Sequence, residues 1–295
     1  MSQRDTYRGE VHIAEVNEKY LLEISRIFIY NWQKRTGVPF MTITIYSYII
    51  ICPFIFLAGF VDSIGGGGGL ISLPAYLLAG LPTHAAIATN KLSSAMGTTF
   101  STGKFIKNKL INFRLAVPTV VAALIGSSVG ARLSLLTDDH ILSLILIPVL
   151  ILTAFFVLNK QSFGKEYPQV DAYDKRVFLI ASIAALCIGF YDGFYGPGTG
   201  TFLIIVLNVF AHLNLNQANA QTKAINLTTN LTSLFIFIMN GQVIWKLGLI
   251  AGIFGIAGNL LGAGLAIKKS STITRPIIIL VLALLFAKIL SGFLN

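Results

Sequence analysis

From Thr42 to the C-terminus the chain is a succession of apolar stretches, most of them close to the length of a bilayer crossing. A hydrocarbon core of about 30 Å takes roughly 20 apolar residues of helix. Stretches of that kind run over 42–62, 86–103, 115–134, 141–158, 177–194, 218–239, 247–267 and 275–293, bounded by polar or charged residues. They predict eight crossings and an all-α polytopic membrane protein. Composition agrees: 55% of residues are apolar and 12% charged, with mean hydropathy +0.76, where an ordinary soluble domain is about 25% charged.

Two shorter apolar stretches, 70–80 and 201–213, each follow a glycine cluster and are too short to span comfortably, which favours re-entrant half-helices. Each half then holds four crossings and one short re-entrant helix after a Gly-rich break. Basic residues assign the sides. Lys34 and Arg35 precede the first span; Lys104, Lys107, Lys109 and Arg114 cluster without an acid; Lys160, Lys165, Lys175 and Arg176 flank the central linker. With each short stretch turning back, all three groups face the cytoplasm, while Lys268, Lys269 and Arg275 land outside against the rule. If both short segments cross instead, the chain becomes an inverted repeat of five plus five spans, with the Lys104–Arg114 cluster outside. The acid-free basic loop is the stronger signal, so eight crossings are preferred.

The net charge of +10 would suggest nucleic acid in a soluble protein, but these cations sit mostly in short loops between apolar spans, so no nucleic-acid partner is expected. Cys52 and Cys187 lie inside apolar spans and are expected to pack as small hydrophobes rather than form a disulfide. The first 40 residues mix five acids with six bases and lack an early apolar core, so no cleaved signal peptide is expected. Ile13, Val16, Tyr20, Ile24, Ile27 and Phe28 fall near helical spacing, which predicts an amphipathic helix along the membrane surface over 12–33, unless Met41 is the true start. The expected divisions are an N-terminal cytoplasmic or interfacial arm, 1–40, a first transmembrane repeat, 41–158, a polar linker, 159–176, and a second repeat, 177–295.

Self-comparison points to duplication. At a shift of 130, Gly59, Phe60, Asp62, Gly66, Gly68 and Leu73 meet Gly189, Phe190, Asp192, Gly196, Gly198 and Leu203. At a shift of 132, Ala86, Ala88, Lys91, Ser101 and Asn108 meet Ala218, Ala220, Lys223, Ser233 and Asn240, and Gly126, Gly130 and Ala131 meet Gly258, Gly262 and Ala263. Apolar composition would match leucines and glycines by chance, but not an Asp, a Lys and an Asn together.

Repeats of this kind occur in secondary transporters, whose sites lie between the halves and are formed by broken helices. The breaks are expected at Gly65, Gly66, Gly67, Gly68 and Gly69, and at Gly196-Pro197-Gly198-Thr199-Gly200, since neither run continues a stable helix. Backbone N–H groups freed at the next half-helix start can bind an anion. Close helix packing is the plainer use of such glycines, and for Gly126/Gly130 and Gly258/Gly262, with GxxxG spacing, it is the preferred one.

Asp62 and Asp192 sit beside the breaks, and Lys91 and Lys223 lie within the following helices. A charge at mid-bilayer costs about 2.5–3.5 kcal/mol on insertion scales, so these groups need partners or water. The duplication suggests pairing within each half, Asp62 with Lys91 and Asp192 with Lys223, as coupling groups or as ion pairs that merely hold the bundle. Around the lysines stand Thr89, Asn90, Ser93 and Ser94 in one half and Gln221, Thr222, Asn226 and Asn230 in the other. The candidate substrate site is therefore the two glycine breaks with Thr89, Asn90, Lys91, Thr222, Lys223 and Asn226. His84 and His212 are expected to be incidental, because an isolated His seldom defines a metal site. The glycine runs do not fit G-x-G-x-x-G, Gly103-Lys104 lacks the rest of a P-loop, and there is no H-E-x-x-H. No catalytic residue, cofactor or metal is expected, and energy for transport should come from a gradient.

The segments Gly59-Phe60-Val61-Asp62-Ser63-Ile64, Ala88-Thr89-Asn90-Lys91-Leu92 and Gly189-Phe190-Tyr191-Asp192-Gly193-Phe194-Tyr195-Gly196-Pro197 resemble the TauE/SafE (sulfite exporter, DUF81) family, and within it the bacterial YfcA-type branch, over roughly residues 42–293. The resemblance implies a multi-pass permease of the bacterial inner membrane that moves small sulfur-containing anions such as sulfite or sulfonates. The partners expected are then the lipid bilayer and a small anionic substrate, with a homo-oligomer left open. The rival reading is a channel-like or structural membrane subunit. The arm of about 40 residues has no counterpart in this resemblance.

Overall fold

The computed structural model describes residues 44–139, Ile141, Leu142, Leu144 and Pro148, and 174–293; past Lys268 it describes the backbone and, of the side chains, only Pro276. The arm 1–40, most of the span expected over 141–158 and nearly all of the linker 159–176 lie outside these residues. Among the described residues there are eight helices and no strand: α1 (Ile45–Gly65), α2 (Gly69–Leu78), α3 (Thr83–Lys107), α4 (Phe113–Leu136), α5 (Lys175–Phe194), α6 (Thr199–Val209), α7 (Leu215–Met239) and α8 (Trp245–Phe293).

Four of them are long and apolar enough to cross a membrane: α1, α4, α5 and the Trp245–Lys268 part of α8. Their outward faces carry stripes of large apolar side chains, such as Val117, Val121, Leu124 and Ile125 on α4 and Phe178, Leu179, Ile183 and Leu186 on α5. Patches of that extent are not tolerated in water, and lipid satisfies them. α3 and α7 have 25 residues each, about 38 Å of helix, but they bury polar side chains at their centres, including Thr89, Lys91 and Ser93 on α3 and Thr222, Lys223 and Asn226 on α7. Length lets them cross; their polarity keeps them inside.

Glycines set the tightest packing. A Cβ at Gly126 or Gly130 would lie 2.2 Å from Leu186 O or 2.0 Å from Phe190 O, and at Gly258 or Gly262 2.0 Å from Phe56 O or 2.2 Å from Phe60 O. Both GxxxG pairs thus serve close backbone contact, α4 on α5 and α8 on α1. The matched order of these contacts means that each helix pair runs in one direction. Along α8, Gly248 meets Leu92, Gly252 meets Met96, and Leu260 O accepts from Lys104 Nζ at 2.9 Å, so α3 runs with α8, and hence with α1. In contrast, Ile244 N, just beyond α7, donates to Thr89 Oγ1 at 3.1 Å, and Thr102 Oγ1 donates to Lys223 O at 3.2 Å. α3 and α7 therefore run in opposite directions.

The expected crossings 247–267 and 275–293 are one helix of 49 residues, about 73 Å long. That corrects the expectation of a break between them: Lys268–Arg275 contains neither glycine nor proline, and the helix carries Pro276 inside it rather than ending there.

Candidate functional site

α1 stops at Gly65 because Gly66 and Gly67 take φ of +74° and +80°, a left-handed backbone that other residues adopt with strain. The second break is similar, with φ of +103° at Gly196 and +87° at Gly198. The two breaks touch. A Cβ at Gly66 would lie 2.3 Å from Gly200 C, one at Gly69 would lie 3.1 Å from Pro197 Cα, and Thr201 Oγ1 donates to Gly65 O at 3.4 Å. Only glycine allows backbones to approach this closely.

The charged residues pair across the halves, not within them. Lys91 Nζ is 2.8 Å from Asp192 Oδ2, and Lys223 Nζ is 2.7 Å from Asp62 Oδ2. This corrects the expected pairing of Asp62 with Lys91 and Asp192 with Lys223; where the two breaks meet, each aspartate comes opposite the lysine of the other half. The pairs differ. Lys223 also donates to Asp62 O, Gly68 N donates to Asp62 Oδ1 at 3.3 Å, and Asn219 Nδ2 donates to Ser63 O and Ile64 O at 3.1 Å each. The last carbonyls of α1 are thereby capped. At the position matching Asn219, the first half has Ile87, which caps nothing. Asp192 has a single described polar partner, Lys91. Side-chain exposure is 2% for Lys91, 6% for Asp192, 0% for Lys223 and 17% for Asp62.

A cavity of about 50 Å³, measured as space open to the centre of a water molecule, lies beside these pairs. One water needs ~10–15 Å³ on this measure, so it holds a few waters or one compact ion. Of the expected site residues, Asp62, Gly67, Gly68, Gly69, Asn90, Lys91, Asp192, Gly196, Gly198, Gly200 and Asn226 line it; Gly65, Gly66, Thr89, Thr222 and Lys223 do not. Ser93, Ser94, Asn226 and Asn230 bring it to the middle of α3 and α7. Ser72 Oγ and Asn226 Oδ1 are buried on its wall with no hydrogen-bond partner, a state that usually means water or a ligand completes them.

Sequence reasoning missed Asn259. It lines the cavity from α8, accepts from Ser63 Oγ at 2.8 Å and donates to Gly255 O at 2.9 Å. The signal was there, a lone Asn in an apolar helix, but the repeat matches it to Ser127 and so hid it. Cys52 is buried and Cys187 exposed. His84 stands apart from the cavity, with Nδ1 against Asp139 and Nε2 2.8 Å from Ser134 O, where it ties the start of α3 to the end of α4 and the segment following it.

The sequence profile of the sulfite exporter TauE/SafE family matches residues 51–289. The chain is 36% identical over 234 residues to the probable membrane transporter protein YfcA of Escherichia coli strain K12, covering 79% of this chain and 86% of that one. It is 33% identical over 235 residues to a probable membrane transporter protein of Haemophilus influenzae, covering 79% and 90%. A Sinorhizobium protein described as the probable membrane transporter ORF9 is 32% identical over 237 residues, covering 80% and 89%. No solved structure matches significantly.

Proposed function

Because the chain belongs to the TauE/SafE sulfite exporter family, we propose that it is a gradient-driven carrier of small anions, sulfite or small organosulfonates, which bind in the cavity beside Lys91. The observation that carries this reading is Lys91 itself. An ammonium has three donors, Lys91 has one described partner, and the residue lines the cavity. Gly67–Gly69 at the start of α2 and Gly198–Gly200 at the start of α6 share that wall. Each helix start contributes about 0.3–1 kcal/mol to a nearby anion. The volume favours a compact oxyanion over a long-chain sulfonate.

We read the chain as two inverted repeats, with α1–α3 and α5–α7 equivalent around the touching breaks. For α1 and α3 to lie along α8 in the same direction, the chain between them must return the length of the bundle. α2 and α6, with 10 and 11 residues, supply about 15–17 Å of each return, and the residues that flank them supply the rest. This favours short helices that cross, as in an inverted repeat, over re-entrant ones. If α1 begins outside, then Lys104–Arg114, Lys175, Arg176 and Lys268 all face the cytoplasm, as the charge rule asks. The membrane is read as the bacterial plasma membrane, consistent with relatives from bacteria.

The rival reading, a structural subunit, draws on the same crossed pairs, which staple the halves together. Purified protein in liposomes decides between them. A carrier takes up radiolabelled sulfite or methanesulfonate with saturation and exchanges it for unlabelled anion, and Lys91→Met loses both. Wild-type rates no higher than those of protein-free liposomes would sink the carrier reading.

A further inference from the structure

Resting on the carrier reading, we propose that Asp192 is the proton-coupling site, taking up one proton as an anion binds at Lys91 and releasing it as the anion leaves. The buried set beside the cavity is already neutral, with two ammonium groups, Lys91 and Lys223, and two carboxylates, Asp62 and Asp192. A monoanion brought in alone leaves one buried negative charge uncompensated, and it must share Lys91 with Asp192. Protonating Asp192 resolves both problems. The carboxylate becomes a carboxylic acid, Lys91 keeps its ammonium and turns to the anion, and one proton plus one monoanion cross with no net charge.

Asp192 suits this role better than Asp62. Both Asp62 oxygens are held, Oδ2 by Lys223 and Oδ1 by Gly68 N, whereas the one described polar partner of Asp192 is Lys91, the residue the anion would recruit. The charged or titratable groups around Asp192 are few. α3 brings Lys91; Tyr191 and Tyr195 are near it in sequence; Asp62 of α1 also lines the cavity and is paired with Lys223 of α7. Tyr191 already donates to Pro197 O at 2.6 Å. α4 meets this stretch with Gly126, Ser127 and Gly130, and α6 offers the neutral Thr199 and Gly200. A metal cation is a poorer fit: among the described residues no group of three His, Cys, Asp or Glu could hold one.

The test uses methanesulfonate, which stays anionic from pH 5 to 8, so any pH dependence belongs to the protein. In liposomes, an outside medium one pH unit more acidic should concentrate methanesulfonate about tenfold inside, since one pH unit is a tenfold driving force per proton. An imposed membrane potential should leave that ratio unchanged. Asp192→Asn should bring it to about one, and Asp192→Glu, which keeps a titratable group, should retain the gradient response. Because Asp192→Asn could fail to fold, a second measurement uses wild type: adding methanesulfonate to detergent-solubilised protein in weak buffer should take up about one proton per anion bound. Exchange without accumulation by the pH gradient, accumulation driven by sodium, a tenfold ratio surviving in Asp192→Asn, or anion binding without proton uptake would each overturn the proton site while leaving the carrier reading intact. Wild type that exchanges no anion would remove both.

Discussion

Lys91 and Asp192 stand 2.8 Å apart although they belong to different halves of the chain, and this crossing decides which double variants should recover. Lys91→Met leaves Asp192 buried without its partner, a loss of about 3–5 kcal/mol for a fully buried pair, toward the low end here because the cavity admits water. Adding Asp192→Asn should restore thermal stability in detergent to within about 1 kcal/mol of wild type. Adding Asp62→Asn instead should lower it further, since Lys223 then loses its partner too. Equal recovery by both partners would contradict the crossed pairing.

Asn108 and Asn240 end α3 and α7 as exposed C-caps, and those helices run in opposite directions. In a chain whose Cys52 and Cys187 have been replaced, a cysteine at Asn240 should react with an impermeant reagent in intact cells, and one at Asn108 only after permeabilisation. Reaction at both positions, or at neither, would return the chain to parallel repeats of four spans.

Gly130 and Gly262 mark equivalent contacts, α4 on α5 and α8 on α1, where even a Cβ would come within 2.0–2.2 Å of a backbone carbonyl. Gly130→Leu and Gly262→Leu should each destabilise by about 1–3 kcal/mol or more, the usual range for overpacking. Extracted yield and melting temperature should fall, and flux should fall in proportion to folded protein. A variant with normal yield and lost flux would move that glycine from packing into the transport route.

Much of the fold was legible because hydrocarbon imposes long apolar runs, and the two glycine clusters interrupt the helices, at residues 66–68 and 195–198. What the sequence hid was direction. Lys34 and Arg35, ahead of the first span, suggested a cytoplasmic start, and from there only re-entrant short helices kept Lys104–Arg114 inside. The order of contacts along α8 supplies the information that charge alone did not. The ion pairs were misassigned for a related reason: repeat matching finds equivalent residues, not neighbours, and when two breaks meet, an equivalent pair becomes a crossed one. Asn259 was passed over because its partner, Ser63, lies 196 positions away.

Asn259 now reads as part of the cavity wall, with one amide hydrogen left after its bond to Gly255 O. Asn259→Leu should leave Ser63 Oγ without its acceptor and remove a donor from the anion. Loss of one hydrogen bond to a charged group, about 1.5–3 kcal/mol, predicts a KM for methanesulfonate raised roughly 10- to 100-fold with yield near wild type. An unchanged KM would remove Asn259 from the anion's surroundings.

The two lysines, equal by repeat position, should fail differently. Lys223 is wholly buried, does not line the cavity, and donates to both the carboxylate and the main-chain carbonyl of Asp62, so its work is to close the end of α1 against α7. Lys223→Met should cost folding first, by about 3–5 kcal/mol for an orphaned buried partner, and the protein that does fold should keep the wild-type KM. Lys91 lines the cavity and holds only Asp192. Lys91→Met with Asp192→Asn should therefore give a well-folded protein that neither binds nor exchanges methanesulfonate, while Lys223→Met with Asp62→Asn should recover both yield and flux. Flux in the Lys91/Asp192 double variant, or a well-folded Lys223/Asp62 double variant without flux, would show that the repeats did not divide the roles in this way.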